Sequence, residues 1–320
     1  MIAIDTDSPR LALGDNLRGI LAMMASMFAL TLNFAFVKLA GAVLPVGEVL
    51  FLRGLIAALL ISVVAFATGA HRRLHRVFHR TVVWRTVCES AAAVCFVTAL
   101  MRTPIANATV ILQAMPLVIT AAAAIWLGEV VHWRRWLAIV AGLLGVVIVI
   151  RPGLAAFQWW SLLVLVAVLL SAFRDLSTRR MPEGIPTVLV AVVALATLSL
   201  VGLSFSLFEN WVVPDGTALM QVAGSGILLG LGLFFVVLAM RRGELSIIAT
   251  FRYSAVLWAI VLGFVLWGDV LDLPTIAGAL IIVGSGVYIS YRERSLRATV
   301  PVVQTDAAAE VIHPPDRESP

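Results

Sequence analysis

Long apolar blocks alternate with short polar joints along nearly the whole chain, over about residues 17–38, 46–68, 82–101, 105–127, 134–151, 158–176, 186–208, 219–240, 246–267 and 273–291. Each is close to the roughly 20 residues that cross about 30 Å of hydrocarbon as a helix. Lipid offers no water to bond a free peptide group, so such blocks fold as helices. The pattern predicts an all-α integral membrane protein with ten transmembrane helices. The third and fourth blocks are divided only by Arg102, Thr103 and Pro104, and Pro45, Pro152, Pro186, Pro214 and Pro274 sit at other boundaries, where proline stops a helix.

Composition agrees: 61% of residues are hydrophobic, 13% are charged, and mean hydropathy is +1.03. A soluble domain carries about 25% charged residues, so lipid is the expected solvent for most of this chain and the bilayer its expected partner. The net charge of +5 lies mostly on arginines in the joints. With a cytoplasmic N-terminus, Arg72, Arg73, Arg76, Arg80, Arg134, Arg135, Arg179, Arg180, Arg241, Arg242, Arg292 and Arg294 all fall inside. The outer ends keep only Lys38, Arg53, Arg102 and Arg151. This asymmetry predicts a multi-pass bacterial inner-membrane protein with both termini cytoplasmic, and it accounts for the basic charge without nucleic acid. Residues 1–16 read as a polar cytoplasmic lead without a cleavable signal, and 295–320 as a disordered cytoplasmic tail. Cys88 and Cys95 lie about 10 Å apart along one helix, too far for a disulfide.

The chain repeats itself. CFVTALMR (95–102) matches LFFVVLAMR (233–241), and AIWLGEVV (124–131) matches FVLWGDVL (264–271). Each pair is offset by about 140 residues, so five blocks are followed by five similar ones. Five is odd, and the halves therefore insert with opposite orientation. Inverted repeats of this kind place a substrate near the midplane between the halves of a secondary transporter. Gly142, Gly145, Gly226, Gly230, Gly278, Gly284 and Gly286 lie inside blocks, where small residues allow close helix contact.

The stretches NLRGILAMMASMFALTLNFAFVKLA (16–40), LPVGEVLFLRGL (44–55) and ALIIVGSGVYISYRER (279–294), with LGE (127–129) and WGD (267–269), resemble the EamA-type proteins of the drug/metabolite transporter superfamily. The resemblance covers about residues 16–294. It implies two EamA-type five-helix repeats, 17–151 and 152–294. It also implies secondary transport of a small metabolite across the inner membrane, with no cofactor. Members it resembles export amino acids or opine-like metallophores, or import S-adenosylmethionine or riboflavin. AFRDLSTRR (172–180) and FRYSAVLWA (251–259) are most similar to the riboflavin-transporter branch. Import of riboflavin or a similar heteroaromatic vitamin is therefore the first expected activity.

An ionisable side chain inside a span costs roughly 2.5–3.5 kcal/mol on insertion scales and usually faces a cavity or a partner. Arg252 stands about two turns into the ninth block with Tyr253 and Trp258 close by, a set suited to an anionic or planar ligand. The alternative for Arg252 is snorkelling to headgroups. Arg53, two turns into the second block, is either a substrate group or the ion-pair partner of Glu48. Arg85 and Glu89 form an i,i+4 pair, structural or proton-coupling. Arg174 and Asp175 read as a gate or an end pair. Asn33, Asn107 and Gln113 are amides that bond either substrate or a neighbouring helix. Pro116, on the same helix as Gln113, frees carbonyls that a cavity can use. Lys38 reads as an interfacial anchor. His71, His75 and His79 share a helix face but are interleaved with arginines, which reads as a lipid-facing cationic surface rather than a metal site.

Other classes fit poorly. No GxSxG, HExxH or GxxxxGK[ST] occurs, and all five histidines fall in joints or the tail. A receptor would need an extramembrane domain, and the joints leave no room for one.

Overall fold

The computed structural model describes residues 8–72, 77, 79–128, 131–152, 157–182, 185–240 and 245–299. Within them every regular element is a helix: α1 (Ser8–Ala40), α2 (Val46–Ala67), α3 (Arg80–Leu100), α4 (Ile105–Leu112), α5 (Met115–Leu127), α6 (Trp133–Ile150), α7 (Trp159–Arg179), α8 (Thr187–Ser206), α9 (Gly216–Met240), α10 (Leu245–Thr250), α11 (Ser254–Trp267) and α12 (Leu273–Thr299). Nine helical segments among the described residues are long and apolar enough to cross a membrane, and Leu273–Ile289 is a shorter apolar helix. α1 begins inside the segment read as a polar lead, and α12 runs to Thr299, past the start of the tail. Residues 300–320 and His75 lie outside the described residues.

Two apolar blocks are interrupted. The fourth is α4 followed by α5, with a turn at Gln113 and Ala114. Pro116 sits at the start of α5. It has no N–H to offer the Leu112 carbonyl, and its ring clashes there, so α4 stops at Leu112. The ninth block is α10 and α11 joined by one 3₁₀ turn, Phe251–Tyr253. No proline or glycine marks that second break. The interruptions lie about 140 residues apart, as do Gly128 and Gly268, which close α5 and α11 with positive φ of 68° and 69°. Glycine takes that left-handed cap without a Cβ penalty.

The broadest helix contacts are α1 with α9, α2 with α8, α3 with α7 and α6 with α12. Exchanging each apolar block for the one five further along maps this pairing onto itself. Small residues permit the close crossings. A Cβ on Gly202 of α8 would lie 2.4 Å from the Phe51 nitrogen of α2, and one on Gly278 of α12 would lie 2.7 Å from the Gly145 carbonyl of α6. Gly230 and Gly284 meet nothing within 4 Å, so these two glycines do not serve packing. The outward faces are apolar: Leu59, Val63, Leu137, Leu144, Phe264 and Leu280 are all more than half exposed. A bundle in water would bury such residues, whereas lipid accepts them.

The apolar core runs through the middle of the bundle, from Val49 and Leu50 of α2 through Leu100, Ile105 and Ile111 to Ile139 and Ile282. The helix interruptions and the buried polar groups are set into that core.

Candidate functional site

Arg53 is the sharpest feature of the interior. Its residue is 9% exposed, its Nε has no hydrogen-bond partner, and no salt bridge joins it to a described acidic side chain. Glu48 is not its partner. That carboxylate is fully buried in the first turn of α2, where Oε2 accepts from the Val212 amide at 3.1 Å. Glu209 reciprocates by accepting from the Gly47 amide at 2.8 Å. The two glutamates clip the start of α2 to the α8–α9 connection. The other Glu48 oxygen, Oε1, is buried without a hydrogen-bond partner.

Asn33 of α1 is fully buried, and both amide atoms lack partners. Leaving buried amide groups unpaired costs about 1–3 kcal/mol each. The same is true of the hydroxyls of Thr86 and Ser90 on α3 and Thr109 on α4. Sequence reading passed over these three, because a lone Ser or Thr in an apolar block usually bonds its own helix backbone, as Thr31 and Thr120 do.

Gln113 and Arg252 meet directly. Gln113 donates from Nε2 to the Arg252 carbonyl at 3.1 Å. The amide at one helix interruption thereby bonds a carbonyl at the other. The Arg252 side chain is exposed. A Cβ on Gly286 would fall 1.6 Å from the Tyr253 hydroxyl, so that ring packs on α12. Trp258 stands edge-on to Phe28 of α1, centroids 5.0 Å apart. Tyr253 in the 3₁₀ turn and Trp258 in α11 thus pack on different helices, α12 and α1. The Tyr253 hydroxyl and Trp258 Nε1 are nevertheless buried without partners.

Arg85, Glu89, Arg174 and Asp175 form one network across α3 and α7. Arg85 donates to Glu89 at 2.7 Å and to Thr178 at 3.1 Å. Arg174 lies 3.7 Å from the other Glu89 oxygen and 2.8 Å from Asp175. Two cations and two carboxylates balance. Both pairs are visible in the sequence, but their union depends on the α3–α7 contact. On the same end of the bundle, Arg180 donates to the Trp126 carbonyl at 3.3 Å, tying α7 to α5.

The opposite end is tied by other groups. Lys38 donates to the Thr103 carbonyl and lies over the Trp267 ring at 4.9 Å. Arg102 lies over Trp160 at 5.2 Å. Arg151, at the left-handed C-cap of α6, pairs with Asp272 and donates to Thr275 at 3.2 Å. Arg151 and Thr275 hold the Asp272 carboxyl at about 2, well below its usual range. Asn107 lines a cavity of about 220 Å³ at this end, together with Arg151, Gln158, Asp269 and Asp272. Asn107 is thus far along α4 from Gln113 and belongs to the mouth rather than the interior.

Among the described residues no group of three or more His, Cys, Asp or Glu side chains is placed to hold a metal ion.

Comparison with known proteins gives a consistent picture. The model of the EamA-like transporter family matches this chain twice, over residues 17–151 and 158–291. The pseudopaline exporter of Pseudomonas aeruginosa (strain UCBPP-PA14) is 25% identical over 85% of this chain and 95% of its own length. An S-adenosylmethionine uptake transporter of Rickettsia prowazekii is 24% identical over 88% of this chain and 96% of its own. A riboflavin transporter of Vibrio cholerae is 26% identical over 59% of this chain and 64% of its own. One solved crystal structure superposes with a TM-score of 0.62 over 87% of this chain and 98% of its own length, at 22% identity, a likeness of fold.

Proposed function

The chain belongs to the EamA-like transporter family, and from that premise we propose that it is a secondary transporter whose substrate is a small metabolite bearing a carboxylate, held at Arg53 and Asn33. The carrying observation is Arg53: a buried guanidinium in a membrane span with no acidic partner among the described residues. A planar fork of donors matches a carboxylate in two bonds. Asn33 offers a donor and an acceptor with no competing partner. Groups so costly to bury usually face a substrate path.

The transport cycle proposed uses ten spans, with Leu273–Ile289 as the tenth, arranged as two inverted five-helix repeats, 17–151 and 152–294. The self-mapping helix pairing, the matched interruptions and the paired left-handed glycines support this reading. The arginine asymmetry supports cytoplasmic termini. Ties at the Lys38 end and the Arg85 end then act as alternating closures. Glu89 is the coupling group: taking up a proton there removes the charge that holds Arg85 and Arg174, and loosens α3 from α7. Net direction follows the gradients, and relatives include both an exporter and uptake transporters.

Amino-acid-like substrates, including S-adenosylmethionine, fit the Arg53 reading best. A second reading, riboflavin or another heteroaromatic vitamin, draws on the unpartnered Tyr253 hydroxyl and Trp258 Nε1. The packing of those rings on different helices, α12 and α1, counts against a stacking pocket. Thermal stability of the purified protein, measured with a panel of amino acids, S-adenosylmethionine and riboflavin, tests the choice. Stabilisation by a carboxylate-bearing compound, lost in its amide or ester, is the expected result. Stabilisation by riboflavin alone would replace the carboxylate assignment.

A further inference from the structure

A separate cleft of about 570 Å³ lies over α7 between the start of α3 and the end of α5. Its polar rim is His79, Arg80 and Arg180, and its walls are Trp84, Trp126 and Phe173. Among the described residues no acidic side chain lines it. Glu89 of α3 and Asp175 of α7 are held by Arg85 and Arg174. The first turn of α3 adds the positive end of a helix. Arg180 uses one donor on the Trp126 carbonyl, which fixes the guanidinium at the rim and leaves its other donors for a ligand.

The walls open sideways. Trp84 and Trp126 are 55% and 51% exposed, and Phe173 is 40% exposed. Trp126 and Phe173 form one continuous surface, centroids 4.4 Å apart. Below Phe173 the outward strip of α7 continues through Leu169 and Val166, both exposed and apolar. The cleft therefore combines a cationic rim with an apolar floor that leads into the bilayer.

We infer that this cleft binds the headgroup of an anionic phospholipid, with its phosphate at Arg80 and Arg180 and an acyl chain along Phe173, Leu169 and Val166. A soluble anion would use only the rim. The aromatic walls and the lipid-facing strip give the acyl chain its share, and this selects a lipid over free phosphate. The lipid would brace α3, α5 and α7 where their ties meet, so occupancy favours closure at that end of the bundle.

The test uses the full chain purified in neutral detergent. Thermal stability is titrated with phosphatidylglycerol, with phosphatidylcholine, and with inorganic phosphate at millimolar concentration. Phosphatidylglycerol is expected to raise the melting temperature saturably, while the other two do not. Arg80→Gln is expected to weaken this response about fivefold, and Arg80→Gln with Arg180→Gln about 25-fold. Arg80→Lys with Arg180→Lys keeps the charge and is expected to retain most of the response. A wild-type elution profile and melting temperature without lipid confirm that the variants fold. An unchanged response in the double glutamine variant, or an equal response to phosphatidylcholine, would overturn the site. An equal response to inorganic phosphate would overturn the lipid and leave a site for a soluble anion.

Discussion

Arg53→Leu separates a functional arginine from a structural one, because the two readings predict opposite signs in stability. On insertion scales arginine at a span centre costs about 2.5–3.5 kcal/mol and leucine gains about 0.3–0.6 kcal/mol, a difference of about 3–4 kcal/mol. In the folded bundle Arg53 is 9% exposed, with Nε unpaired and no ion pair to lose. Replacing a buried charge with an apolar side chain is neutral or stabilising by about 1–4 kcal/mol. The melting temperature should therefore hold or rise, by about 2–4 °C per kcal/mol. Binding should fall: a hydrogen bond to a charged group is worth about 1.5–3 kcal/mol, or about 10- to 150-fold in Kd. The assay is a thermal melt of the purified variant, paired with ligand titration by the same readout. A variant that melts several degrees lower yet binds with unchanged Kd would refute the argument and make Arg53 a structural group.

Glu89→Gln keeps the shape of the α3–α7 network but removes its charge; proton-driven accumulation should be lost while exchange of substrate persists, and intact accumulation would make the network structural. Gln113→Leu removes a side-chain donor to the Arg252 carbonyl and should cost about 0.5–1.5 kcal/mol in a thermal melt. Gly286→Ala drives a methyl into the Tyr253 ring and should destabilise by about 1–3 kcal/mol, with no change if α12 has room to shift. Asp272, held at about 2 by Arg151 and Thr275, has a folded value below its unfolded one. Its contribution is complete above about pH 4 and is lost as pH falls through about 2. Thermal stability of Asp272→Asn relative to the parent should thus show the same offset from pH 7 to pH 5 and converge on further acidification.

The spans were legible because lipid imposes length and leaves no alternative to helix. The interruption in the fourth block was legible through Pro116, whose missing N–H stops α4 at Leu112. The interruption at Phe251–Tyr253 had no local sign, since no proline or glycine stands there, and Gln113 bonds it from a distant helix. Arg53 was found because burying a charge is costly wherever it points. The sequence could not show that one Glu48 oxygen would take the Val212 amide and that neither would reach Arg53. Tyr253 and Trp258 are near along the chain, but the first lies in the 3₁₀ turn against α12 and the second in α11 against α1. Gly230 and Gly284 looked like packing positions and face open space, because glycine spacing does not reveal which helix lies opposite.

Substrate counterflow in proteoliposomes tests the central claim, that this chain carries a carboxylate-bearing metabolite through a site at Arg53 and Asn33. Vesicles are loaded with unlabelled compound, and entry of a labelled trace against the gradient is followed. The account predicts transient accumulation with a carboxylate-bearing member of the panel, none with its amide or ester, and none in Arg53→Leu despite normal insertion. Accumulation that is equal for the parent and Arg53→Leu would contradict it.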